Sequence, residues 1–172
     1  MQGTMMNRRL WTILTLTSLL AGCGASDPSF VRLGDYENDA GAAVVRQLIQ
    51  TLPELAPGVP KEYCIVKALD LRATDMEFTH QFQDLKLLFV SRDVLGEQED
   101  THFPMNPKSG LSPIMLQIGR MKKLSAEAYE VEAAWAYKRE FERKRFQTEL
   151  VGGQWKVTEL ETLDSYRTPV AK

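Results

Sequence analysis

The sequence predicts an α+β domain: an N-terminal helix and a short second helix packed on a mostly antiparallel, curved β-sheet. Three observations carry that expectation. Apolar residues recur every three or four positions between about Asp39 and Leu52, which is the spacing of one helical face. Apolar and polar residues alternate from Tyr129 to Lys138, as on a strand with one buried side. Gly152-Gly153 separates two further alternating runs, where a two-residue hairpin turn needs positive φ at both positions.

The first helix is read from Ala40, Val44, Leu48 and Leu52, with Val45 and Ile49 beside them, and Pro53 stops it. Pro53 to Pro60 is a turn-rich connection. Glu62 to Leu69 is rich in β-formers with apolar residues on both sides, a strand covered on two faces. Thr74 and Glu77 form a capping-box pair, and Phe78, Phe82 and Leu85 then share one helical stripe, giving the short second helix. Leu87 to Val90 is a further strand candidate. Gly96 to Pro113 holds three prolines and two glycines; a loop of that length is usually functional or disordered.

Beyond the loop, Ile114, Leu116 and Ile118 alternate with Met115, Gln117 and Gly119. The hairpin from Phe146 to Leu160 has a definite register. Pairing Val151 with Gln154 puts Leu150 opposite Trp155 and Thr148 opposite Val157 on one face, and Glu149 opposite Lys156 on the other. Leu150, Trp155 and Val157 are expected to share a buried face with Tyr129, Val131 and Trp135. This order of elements resembles the helix-against-curved-sheet architecture of cystatin-like and nuclear-transport-factor-2-like (NTF2-like) domains over roughly the last two thirds of the chain.

The N-terminal segment follows another rule. Arg8 and Arg9 front an uncharged run from Leu10 to Leu20, interrupted only by Thr12, Thr15, Thr17 and Ser18. That is the charged and apolar pair of regions found in an export signal, and the run is about half the roughly 20 residues a spanning helix needs. It ends in Leu20-Ala21-Gly22-Cys23, which resembles the lipobox of bacterial lipoproteins. The resemblance implies a signal peptide over 1–22 and a mature chain that starts at Cys23, acylated with palmitate-type chains. The chain would face the periplasm, and Gly24 in place of an aspartate leans towards the outer membrane. Several acyl chains at about 0.8 kcal/mol per buried methylene make such an anchor permanent. Arg8-Arg9 is also the pair of a twin-arginine signal, whose wider consensus is absent, and Met5 or Met6 can serve as the start. The expected organisation is therefore signal peptide 1–22, lipidated N-terminus and tether 23–34, and one α+β domain over 35–172.

Removing residues 1–22 takes away Arg8 and Arg9 and no acid, leaving 19 basic against 23 acidic residues, a net charge of −4. No polybasic face demands nucleic acid or anionic lipid. Once Cys23 is acylated, Cys64 is the remaining thiol. No intrachain disulfide can form, and Cys64 within a strand-like run reads as a small buried hydrophobe.

No Gly-x-Ser-x-Gly elbow, His-Glu-x-x-His, Cys-x-x-Cys or phosphate-binding glycine loop occurs after residue 22. No residue is assigned a catalytic or metal-binding role, and no cofactor is implied. His80 falls on the solvent side of the second helix. His102 stands beside Glu97, Glu99 and Asp100, a run that offers metal-ligand types but reads as a solvated loop. The remaining feature is a candidate binding patch, Lys138, Arg139, Phe141, Arg143, Lys144 and Arg145. No Gly, Asn or Pro marks a turn there, so a solvated loop between strands and a continuous bulged strand both stay open. If the patch binds, its partner is an envelope protein, lipid or glycan. Two functions compete: a non-catalytic binding or assembly-accessory domain, and an NTF2-like small-molecule binder or small enzyme. A deep apolar cavity with a convergent carboxylate or histidine would mark the enzyme.

Overall fold

A computed structural model describes residues 33–55, 57–67, 72–73 and 76–167. The lipobox with Cys23, the expected tether up to Arg32, and Thr74 of the capping box lie outside the described residues. Among the described residues, no helix is long and apolar enough to cross a membrane.

The first helix, α1, spans Leu33–Thr51. It begins six residues before its apolar periodicity does, and so takes in Leu33 and Gly34. Ala40, Val44, Val45 and Leu48 are buried along one side, as their spacing requires. Gly41 sits among them because a Cβ there would meet the Ile118 side chain at 3.2 Å. β1 (Glu62–Lys67) follows, then β2 (Arg72–Ala73). The second helix, α2, is a single turn over Met76–His80, shorter than the stripe from Phe78 to Leu85 predicts. The chain tightens after it into i−3 bonds, with the Gln81 and Phe82 amides donating to Phe78 and Thr79, and Lys86 closes the run in a left-handed conformation. Arg46 of α1 reinforces this turn by bonding both Asp84 carboxylate oxygens at 2.7 and 2.8 Å and the Gln81 carbonyl. Phe78 and Phe82 are nevertheless buried, with rings 5.5 Å apart edge to face.

The remaining strands are β3 (Leu88–Phe89), β4 (Gly96–Glu97), β5 (Pro104–Met105), β6 (Ile114–Ser125), β7 (Ala128–Tyr137), β8 (Glu140–Val151) and β9 (Gln154–Tyr166). The main sheet runs β2-β1-β6-β7-β8-β9, with β3 also pairing with β1. It is antiparallel except where β1 meets β6 and β3. The β8–β9 register pairs Val151 with Gln154, Leu150 with Trp155, Thr148 with Val157 and Glu149 with Lys156, as the sequence predicts. Gly152 and Gly153 both take positive φ in the connecting turn.

Alternation sorts the sheet into two faces. Ile65, Leu116, Ile118, Val131, Trp135 and Phe146 form one core with α1 and α2. Trp155 and Val157 share that face but are only partly buried against it. The expectation of full burial there is corrected, because these residues lie on the sheet's terminal strand with a neighbour on one side only. On the other face, Cys64 and Val66 are also fully buried. A parallel pair cannot be joined by a tight turn. Part of the connection from β1 to β6 passes over that second face and covers them.

Candidate functional site

The second face holds an apolar-lined cavity of about 310 Å³. Val66, Met115, Gln117, Ala134 and Ala136 supply its floor, and Phe103, Pro104, Ser112 and Pro113 of the 96–113 segment close over it. The registers that pair Val66 with Gln117, Gln117 with Ala134, and Met115 with Ala136 line these residues up in adjacent rows. The cavity exists because β7 places two alanines between larger neighbours. Met115 lies on one side, and on the other Phe141 and Arg143 stand opposite Ala136 and Ala134. Next to it, Gly119 admits a register shift between β6 and β7, where a Cβ would come within 3.1 Å of the Glu132 carbonyl oxygen.

The cover is pinned by polar contacts. Asn106 is buried, and its Nδ2 donates to Oε2 of buried Glu62 at 3.0 Å. Its Oδ1 accepts the Lys108 amide at 3.0 Å, and its backbone bonds to Leu111 and Gly110. The long loop is thus a built element, with its own small β4–β5 hairpin, fastened to the sheet.

Arg92 and Lys138 stand at the cavity's edge. Among the described residues neither has a carboxylate at ion-pair distance. The Lys138 Nζ lies over the Tyr137 ring, 5.3 Å from its centroid. Phe103 and Lys138 also border a second, more open hollow with Thr101, Tyr137, Arg139 and Glu140, so the two spaces adjoin. Among the described residues, no carboxylic acid or histidine lines the 310 Å³ cavity.

The candidate patch divides. β7 and β8 are joined by a two-residue turn at Lys138-Arg139, closed by the Tyr137–Glu140 pair, in place of the loop or continuous strand left open by the sequence. Lys138 adopts φ 54°, a left-handed conformation that costs a side chain about 1–2 kcal/mol. Lys144 points to the helix side, where its ammonium meets Glu159 at 3.0 Å and Glu142 at 3.3 Å. Glu142 also accepts from Trp135 Nε1 at 3.2 Å. Burial works to lower the Lys144 pKa, but the hydrogen bond to Glu159 and the two carboxylate charges outweigh it and hold it above the ordinary lysine value. Arg145, on the opposite face, bonds Glu161 at 2.6 Å and lies 3.5 Å from Glu132. These two cations are neutralised within the sheet. Lys138, Arg139 and Arg143 remain exposed, and Phe141 is half-buried on the outer face.

Compared with known protein families, curated proteins and solved structures, the chain matches none. His80 is exposed, and the His102 ring pairs with Glu97 3.0 Å away in an exposed contact. Among the described residues no three metal-ligating side chains converge. Cys64 is free and buried, and burial pushes its thiol pKa up to about 11, countered in part by Arg92. The cavity's floor and cover were missed from sequence. The one available signal was Ala134 and Ala136, small apolar residues on the side of β7 that carries Glu130 and Glu132.

Proposed function

We propose that this chain is a non-catalytic ligand-binding module held at the bacterial cell envelope by an acylated Cys23. The observation that carries the binding role is the outer-face cavity: its lining is mostly apolar, and among the described residues no carboxylate or histidine lines it to move a proton. Supporting it, the long loop flagged by its length is spent on closing that cavity. The anchoring half of the proposal rests on the export-signal pattern and the Leu20-Ala21-Gly22-Cys23 box, with the periplasmic face of the outer membrane as its place. In this reading the domain works as a receptor or assembly accessory within tether reach of its membrane, about 30 Å if residues 24–32, which precede α1, are extended.

Two measurements test the two halves separately. Mass spectrometry of the full chain from a bacterial membrane fraction should find residues 1–22 removed and Cys23 acylated. Native mass spectrometry of the purified domain should find a small molecule bound in the wild type and lost in Ala136→Leu, which fills the cavity. A bare Cys23 removes the anchor from the proposal, and an adduct unaffected by Ala136→Leu removes the cavity.

A further inference from the structure

We infer that the outer-face cavity takes an anionic single-chain amphiphile, with its tail over Ala134 and Ala136 and its head group at Lys138. This rests on the reading of the cavity as the ligand site and adds what the ligand is.

Charge is the first observation. Among the described residues, no acid lines the mostly apolar space that Arg92 and Lys138 border, and neither cation is answered by a carboxylate. Arg139 extends the cationic edge into the adjoining hollow, which Glu140 also lines. Elsewhere on the same sheet, Lys144 and Arg145 are each surrounded by glutamates. The cations at the cavity therefore differ from Lys144 and Arg145 in having no carboxylate partner among the described residues, and an anionic head would supply one.

The backbone gives a second, independent observation. Two of the sheet's two-residue turns use positive φ. One has Gly152-Gly153 at φ 61° and 78°, and the other puts Lys138 at φ 54°. Glycine or asparagine would occupy the second turn with less strain. A strained lysine that borders both hollows points to a use for its side chain beyond closing the turn. Size sets the tail: about 310 Å³ lies at the bottom of the range of about 300–1,000 Å³ typical of small-molecule sites, room for one short alkyl chain.

The test is calorimetric titration of the purified domain with decanoate, decyl phosphate and decanol, which share a tail and differ in the head. Wild type should bind an anionic probe about tenfold more tightly than decanol, the scale of one charge-assisted contact. Shortening the tail should weaken binding about fourfold per methylene. Lys138→Asn should erase the tenfold preference, leave decanol affinity unchanged and melt no lower than wild type, while Lys138→Arg keeps the preference. Tighter binding of decanoate or of decyl phosphate would assign a carboxylate or a phosphate head. Equal affinity for decanol and both anions, or a preference that survives Lys138→Asn, overturns the inference and leaves the cavity as a neutral site. If neither decanol nor the anions bind, the ligand-site reading itself falls and this inference with it.

Discussion

Replacing Asn106 with alanine should loosen the cover of the outer-face cavity while leaving the sheet in place. The change removes the Nδ2 donor that meets Glu62 Oε2 at 3.0 Å, and Glu62 is only 2% exposed. Leaving that buried carboxyl without its donor costs about 1–3 kcal/mol. The change also removes the acceptor of the Lys108 amide, a neutral bond with a net value of about 0.5–1.5 kcal/mol. Together the loss is about 1.5–4.5 kcal/mol, concentrated on the segment from Gln98 to Leu111. Hydrogen exchange reads this directly. The amides of Gln98, Asn106 and Gly110, bonded to Phe103, Leu111 and Asn106, should lose protection by about 10- to 1,600-fold at one decade per 1.4 kcal/mol. Glu62→Gln keeps an oxygen facing Asn106 and should lose less than a third as much. Unchanged protection at those three amides, or an equal loss across the central amides of β7, would refute the idea that this pair fastens the cover.

Two further outcomes follow from the packing. Trp155→Ala should destabilise by roughly 2 kcal/mol in urea titration, below the 3–5 kcal/mol of a fully buried tryptophan, because Trp155 only flanks the core beside Tyr129, ring to ring at 6.0 Å. Above the ordinary thiol value of 9.0 the unfolded chain gives up the Cys64 proton, while the folded protein holds it to about 11. The stability contributed by that buried thiol is complete below pH 9 and disappears as pH rises through about 11. The gap in urea midpoint between wild type and Cys64→Ala should therefore change over that window and be flat from pH 6 to 8.

What was legible in the sequence was local. Gly152-Gly153 and the alternation on either side set the β8–β9 register to the residue, because every determinant lies within a few positions. The helical spacing of Ala40, Val44 and Leu48 placed α1 for the same reason. The parallel pairing of β1 with β6 left no such trace, since Tyr63 and Ile114 meet across a long connection with no turn residue to announce them. Apolar residues on both sides of β1 did signal two covers, but not that the 96–113 segment would be one of them. The basic patch was visible as a cluster of charges. Its division was not, because the glutamates that neutralise Lys144 and Arg145 stand on neighbouring strands. The turn at Lys138-Arg139 was hidden because its left-handed residue is a lysine, the wrong type for the signal.

The parallel contact between β1 and β6 also sets an order of events in time. β6 to β9 is a meander of successive hairpins, whose ends are already close along the chain and can pair early. β1 is made first by the ribosome yet finds its partner only after the whole intervening segment has been made. Until then the edge of β1 that β6 will cover, along Cys64, Ile65 and Val66, stays unpaired, a template for pairing with other chains. A holdase engaging the newly made chain would be most needed at this strand, and fragments that end before Ile114 should be the ones that aggregate.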